Sequence, residues 1–155
     1  MEAYSADRSL KGKLRRRFAK LVMRRPAAVE LERPMVSFAF DDAPQTAADT
    51  GAILLEAGRL RGTYFICAGT LGQDGPMGPN ASAEAVVRLA GAGHEIACHS
   101  YAHLDCGKAD GATITADSDS NRAAFHALGL RTPETFAFPF GEVSVPAKRA
   151  LDERF

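Results

Sequence analysis

This sequence of 155 residues lacks a net charge, a long hydrophobic run and a recognisable secretion signal. Lysine and arginine together number 19, as do aspartate and glutamate. No stretch approaches the roughly 20 apolar residues that a bilayer-spanning helix needs. The basic N-terminus has no apolar segment behind it, so we expect no secretory signal and predict a cytoplasmic location.

Cysteine is scarce as well, with three residues at Cys67, Cys98 and Cys106. An odd number of cysteines without a secretion signal indicates a reducing compartment, where thiols stay free. The hydrophobic content of 46% and the charged content of 25% are ordinary for one globular domain. The chain is long enough to bury a substantial core.

The zero net charge conceals an uneven distribution along the chain. Residues 1–25 hold nine basic and two acidic residues, and the remainder holds 10 basic and 17 acidic residues. The acidic remainder argues against nucleic acid as a partner.

The basic N-terminal segment 10–25 is predicted to form an amphipathic helix. Its apolar residues recur at helical spacing: Leu10, Leu14, Phe18, Leu21 and Val22. Such a helix can contact a membrane surface or a partner, or it can pack its apolar stripe on the domain. We favour packing, because five apolar residues make an ordinary core-facing stripe. Pro26 and Pro34 mark a linker, so residues 1–34 form helix and linker and residues 35–155 form the domain.

Strands and helices are predicted to alternate from residue 35 onward. The strands are expected at 35–40, 63–67, 94–98 and 135–138. The helices are expected at 47–57, 82–92 and 115–128, with a last helix capped by Ser144. The segment 69–80 is rich in glycine and reads as a loop. This alternation predicts an α/β fold with a parallel sheet, and the continuous apolar strands predict burial on both faces.

Chemically distinctive residues follow three of these strands, at the end of the sheet where parallel α/β folds place their active sites. Asp41 and Asp42 follow the first strand, and His99 and His103 follow the third. The two histidines are spaced by about one helical turn, so both can face one ion. With Asp42 they make three ligands and leave one position open, the pattern of a catalytic zinc site. Asp41 can then serve as the base.

Other interpretations of these residues remain open. The aspartate pair can be a cap for the helix that follows the strand. Two cysteines and two histidines could also form a closed structural zinc site, made of Cys98, His99, His103 and Cys106. His94 and His126 are interpreted as structural or surface residues.

Three motifs together resemble the polysaccharide deacetylase family, also called the NodB-homology or carbohydrate esterase 4 group. They are AFDDAP at 39–44, CHSYAH at 98–103 and FAFPFG at 136–141. The resemblance implies a distorted (β/α) barrel of about seven strands, of which this chain would form a part. It also implies a divalent metal, expected to be Zn²⁺. The roles it implies are a base at Asp41, metal ligands at Asp42, His99 and His103, an oxyanion or substrate site at Pro139 and Phe140, and a brace at Ser100.

The activity implied by the resemblance is removal of acetyl groups from acetylated sugars of the N-acetylglucosamine type. Two substitutions depart from the family pattern: Ala43 stands where glycine is usual, and Ala137 stands where arginine is usual. The sequence also ends after the third motif, before the one that normally supplies a general acid. We therefore expect either a truncated enzyme, an oligomer that completes the barrel, or a metal- or sugar-binding module without turnover.

Overall fold

The computed structural model describes residues 9–24, 28 and 30–155. The helices within this part of the chain are α1 (Leu10–Leu21), α2 (Ala52–Ala57), α3 (Ala83–Gly91), α4 (Gly111–Ala127) and α5 (Val145–Leu151). A π-helical segment, Ala47–Gly51, leads directly into α2. None of the described helices is both long and apolar enough to cross a bilayer.

The strands form one parallel sheet and one small hairpin, which confirms the α/β class. The parallel sheet has the order β1 (Ala39–Phe40), β2 (Thr63–Ile66) and β5 (Glu95–Cys98). The hairpin of β3 (Asp74–Gly75) and β4 (Gly78–Pro79) lies inside the segment predicted to be a loop. Phe136 extends the sheet beside β5 through a single parallel bridge to Cys98. The barrel is not closed within the described residues.

The first strand is much shorter than predicted. We expected pairing from residue 35, but β1 contains only two residues. The reason is its partner: β2 begins at Thr63, which pairs with Ala39, so β2 offers nothing opposite the preceding residues. Met35 and Val36 are consequently 73% and 76% exposed. The predicted strand 135–138 is likewise reduced to its one bridge at Phe136.

The core lies on one side of the sheet, between β2 and the helices. Tyr64 and Ile66 point into it and are fully buried, together with Leu89 of α3 and Phe125 of α4. Phe65, on the other face of β2, is only half-buried. The expected burial of both faces is therefore wrong for this strand, because these helices cover one face only.

The helix predicted at 10–25 exists but ends at Leu21, and Arg25 lies outside the described residues. Ser9 caps its first turn by accepting a hydrogen bond from the Gly12 N–H. The expectation that its apolar stripe packs on the domain is wrong. The buried residues of α1 are Gly12 and Ala19, which lie on the side of the helix opposite the stripe.

Candidate metal centre

Asp42 is brought into the site by an unusual turn at the end of β1. Both Asp42 and Ala43 have positive φ values, of 58° and 40°, a conformation that non-glycine residues rarely adopt. The Ala43 carbonyl accepts a hydrogen bond from the Ala81 N–H at 3.0 Å, which ties the turn to the chain before α3. Among the described residues, no hydrogen bond joins either aspartate to the start of the helix that follows, where the Pro44 carbonyl accepts from the Ala47 and Ala48 N–H groups.

His99 is held in a defined tautomer at the end of β5. Its Nδ1 lies 3.0 Å from the Ala137 carbonyl oxygen. A carbonyl only accepts, so Nδ1 carries the proton and Nε2 presents a lone pair. Nε2 lies 3.5 Å from Asp42 Oδ1. The ring is buried and oriented as a metal-ligating histidine normally is, by a backbone partner on its second nitrogen.

His103 reaches the same carboxylate from a loop rather than from a helix. Its Nε2 lies 3.0 Å from Asp42 Oδ1. Ser100 and His103 both have positive φ values, of 62° and 54°, so the chain between the histidines is a tight loop. The spacing of four residues therefore predicted the right pair for the wrong geometric reason.

The Phe140 ring and the Asp42 carboxylate place the His103 ring. Its edge meets the Phe140 ring, with centroids 4.4 Å apart. Its Nδ1 is buried and has no hydrogen-bond partner among the described residues. The contact of Nε2 with Asp42 Oδ1 is a hydrogen bond in which Nε2 donates, and a bound ion would replace that proton on Nε2.

The loop between the histidines is braced from both sides. The Asp117 carboxylate on α4 accepts hydrogen bonds from the backbone N–H groups of Tyr101, at 2.6 Å, and Ala102, at 3.1 Å. Ser100 Oγ accepts from the Leu104 N–H at 2.8 Å. The expected brace at Ser100 therefore has a partner, and Asp117 is a second brace that the sequence did not reveal.

Asn121, one turn beyond Asp117, joins the ends of β2 and β5. Its side-chain oxygen accepts from the Ala68 N–H, and its amide nitrogen donates to the Ile66 carbonyl and to Cys98 Sγ. Asn121 is completely buried. The sequence signal for this role of Asn121 was a polar residue within the buried stripe of a predicted helix.

The electrostatics favour the protonation states that bind a metal. The hydrogen bond from His103 lowers the pKa of Asp42, and nearby imidazole charge adds to this effect. Burial lowers the pKa of His99. At neutral pH the carboxylate is therefore ionised and His99 is neutral, which are the forms in which these groups act as ligands.

The ligand atoms of Asp42, His99 and His103 all lie within 4.8 Å of one another. Two imidazole nitrogens and one carboxylate oxygen suit zinc and similar divalent ions. The residues present therefore fit a metal ion. No other group of three potential ligands converges within the described part of the chain, so the closed site with two cysteines is not formed.

The remaining predicted residues border this set. Asp41 is exposed on the same turn as Asp42. Its negative charge raises the pKa of His99, against the larger effect of burial, which lowers it. Pro139 is buried, and Phe140 adopts a left-handed conformation with φ 60° and ψ 6° beside His103. All three chain segments predicted to form the site therefore meet.

The other two histidines are structural or surface residues, as expected. His94 is buried: its Nδ1 accepts a hydrogen bond from the Gly62 N–H, and its Nε2 lies 3.2 Å from Glu56. His126 lies on the surface and pairs with Thr132 at 2.9 Å.

Comparison with known proteins gives a family match and a set of similar structures. The sequence model of a family described as polysaccharide deacetylase matches residues 28–153. No curated protein matches the chain. A family 4 carbohydrate esterase from Streptomyces lividans, solved with acetate, is 24% identical with a TM-score of 0.64; the match covers 77% of this chain and 58% of that one.

Two further structures resemble the fold at similar levels. A chitin deacetylase from Colletotrichum lindemuthianum is 19% identical, with a TM-score of 0.64 and coverage of 74% of this chain and 50% of that one. A family 4 acetyl xylan esterase from Clostridium thermocellum, solved with a cobalt ion, is 22% identical, with a TM-score of 0.58 and coverage of 75% and 54%. The chain thus spans between half and three fifths of the length of these structures.

Proposed function

The chain belongs to the polysaccharide deacetylase family, and from this premise we propose that it is a metal-dependent hydrolase that removes acetyl groups from acetylated sugars. The substrate class we propose is a poly- or oligosaccharide containing N-acetylglucosamine units. The observation that carries the proposal is the convergence of Asp42, His99 and His103 on one point. Such a set, with one open position, is typical of hydrolytic metal sites.

We propose that Asp42, His99 and His103 hold a divalent ion, with zinc as the first choice. The cobalt ion in the Clostridium thermocellum esterase supports a divalent metal of this group. A bound ion of this kind polarises a carbonyl and makes water more acidic. Asp42 supplies the negative charge of the set. The Ala137 carbonyl holds His99 Nδ1, so that the lone pair on Nε2 faces the proposed ion.

Asp41 is the proposed general base. Its exposed carboxylate on the Asp42 turn can take a proton from the water that attacks the acetyl carbon. Hydrolysis of an acetamide then breaks the carbon–nitrogen bond, and the proton is needed on the departing amine. The backbone N–H of Phe140, together with the turn at Pro139, is proposed to stabilise the oxyanion.

A binding module without turnover is the second candidate. It is favoured by the positions of His94 and His126, which are bonded away from the metal centre. His94 is bonded to Gly62 and Glu56, and His126 is bonded to Thr132. Among the described residues, no histidine besides the two proposed ligands is placed to protonate the departing amine. A module of this kind would hold a metal or a sugar and release no acetate.

The cytoplasmic location stays a prediction from the sequence.

Metal titration separates the ligands from the base. We expect the chain to bind one zinc ion, Asp42→Ala to weaken binding by at least about 100-fold, and Asp41→Asn to retain it. Asp119→Asn, an exposed carboxylate on α4, is the matched control. The measurement is isothermal titration calorimetry after chelator treatment. Undiminished zinc binding in an Asp42→Ala, His99→Ala double variant would refute the metal site.

Acetate release separates the enzyme from the binding module. Acetylated chito-oligosaccharides are incubated with the zinc-loaded chain, and acetate is quantified. The enzyme predicts release that Asp41→Asn reduces by about 100-fold or more. Zinc binding without any release by the parent chain would favour the module instead.

A further inference from the structure

Helix α1 lies outside the segment that matches the family, and its composition is unlike that of the rest of the chain. It contains no acidic residue. Its six cations are Lys11, Lys13, Arg15, Arg16, Arg17 and Lys20. A function of α1 would therefore be separate from the metal centre.

The apolar stripe of α1 is turned away from the domain. The exposed fractions are 85% for Leu10, 70% for Leu14, 57% for Phe18 and 61% for Leu21. With 3.6 residues per turn, these four side chains fall within an arc of about 80°. Gly12 and Ala19, the buried residues of the helix, lie on the opposite side.

Polar contacts in the middle of α1 and just after its last turn fix this orientation. Arg16 Nη1 lies 3.6 Å from the carboxylate of Glu142, which is itself buried. The Lys148 ammonium donates to the Val22 carbonyl at 2.7 Å, just beyond the last turn. The helix is thus held to the domain by its small-residue face, with the apolar face outward.

Cations flank the apolar stripe on both edges. At 100° per residue, Lys11 and Arg15 follow one edge of the stripe, and Lys13, Arg17 and Lys20 follow the other. All five side chains are exposed. Long basic side chains along an apolar face let the charged ends reach lipid headgroups while the face enters the acyl boundary.

From this arrangement we infer that α1 docks the protein onto a membrane surface that carries anionic lipid. Positive charge on both edges complements such a surface, and the outward stripe supplies the apolar contact. The stripe is about 16 Å long, from Leu10 to Leu21, at 1.5 Å per residue. The helix would lie in the plane of the membrane surface.

Vesicle co-sedimentation tests the docking. The full chain is mixed with vesicles of phosphatidylcholine alone or with an equal part of phosphatidylglycerol. We expect binding only to the anionic vesicles, with a loss of about tenfold or more in Leu14→Ser, Phe18→Ser. Ile53→Ser, Leu54→Ser is the matched control, because those two side chains lie on α2 and are 62% and 69% exposed. Equal losses in both double variants would overturn the inference.

A fluorescence measurement locates the contact, since the chain contains no tryptophan. Phe18→Trp is expected to shift its emission to the blue on addition of anionic vesicles, while Leu54→Trp is not. The absence of a shift at position 18 would overturn the inference. So would a shift that appears without vesicles and rises with protein concentration, because a second copy would then cover the stripe. Far-UV circular dichroism checks that each variant keeps its helices.

Discussion

Asp117 holds the loop between the two histidine ligands through its carboxylate, although it is not itself a ligand. It accepts hydrogen bonds from two successive N–H groups, those of Tyr101 and Ala102. A backbone segment with residues at positive φ needs such support, because the conformation is unfavourable on its own. At the scale of single residues, the position of His103 therefore depends on a side chain from a different helix.

Replacing Asp117 tests this dependence. We expect Asp117→Ala to weaken zinc binding by about 10- to 100-fold, since supporting residues around metal ligands have effects of this size. The zinc affinity of Asp117→Asn, which keeps one acceptor oxygen, should lie between those of Asp117→Ala and the parent. Calorimetric titration measures the affinities, and Asp119→Ala on the exposed face of the same helix serves as the control. An Asp117→Ala variant that binds zinc as the parent does would show that His103 is placed without this brace.

The ligands could be predicted from the sequence, and the family resemblance also pointed to Ser100, whereas the supports from α4 could not be predicted. Asp42 and His99 stand directly after apolar strands, and parallel strands bring their ends together. Asp117 and Asn121 act through the packing of α4 against the sheet, which no local pattern specifies. The turn at Ala43 is similar: its positive φ is a property of the fold, although glycine at this position in the family pattern was a hint.

The helices match their predicted positions better than the strands do, and the caps explain why. Ser82 and Ser144, the two predicted caps, each accept a hydrogen bond from the N–H three residues later. The prediction for α4 was less accurate: the helix was expected from residue 115 but begins at Gly111, because Asp110 caps it in the same way. A cap is a local signal that can be read from sequence. The length of a strand is set by its partner instead, and β1 stops where β2 has nothing to pair with it.

Ser144 is the cap whose loss should cost most, since it makes two buried interactions. Its Oγ accepts from the Ala147 N–H at 3.2 Å and donates to the Cys106 carbonyl at 2.8 Å. We expect Ser144→Ala to lower the free energy of unfolding by about 1–2 kcal/mol. Ser120→Ala, at an exposed position within α4, should change it by less than about 0.5 kcal/mol. Urea denaturation followed by circular dichroism measures both; equal effects would show that the cap contributes little.

The fold of the whole molecule encloses its cysteines. All three are free and buried, in agreement with the expectation from their odd number. Burial raises the pKa of Cys98 to about 11 and that of Cys106 to about 12.

The parallel sheet of the described residues has two open edges. It ends at β1 on one side and at the Phe136 bridge on the other. An oligomer that completes the barrel stays a prediction, which sedimentation velocity can test.

Thiol reactivity measures how tightly the molecule is closed. At pH 8 a thiol with a pKa of about 11 is only about 0.1% ionised, against about a tenth for a cysteine with its ordinary pKa of 9.0. We expect no rapid reaction with a disulfide reagent in the folded protein and three reactive thiols in denaturant. Rapid labelling of one or more thiols without denaturant would mean that the core opens readily.

The raised thiol pKa values also predict how stability varies with pH. A thiol whose pKa is higher in the folded than in the unfolded state stabilises fully below the unfolded value, near 9.0. That contribution is lost as the pH rises towards 12 for Cys106. We expect the free energy of unfolding to fall above pH 9, and less steeply in Cys106→Ala. Identical pH dependence in the two proteins would argue against a buried thiol at this position.

The bond that orients His99 comes from the main chain at position 137, and this has an evolutionary consequence. Every amino acid carries the same carbonyl, so the tautomer of His99 survives any substitution there that leaves the strand end in place. The alanine at 137, where arginine is usual in the family, therefore removes a charged side chain without removing the acceptor. The side chain at position 137 can therefore change without removing the bond that orients His99.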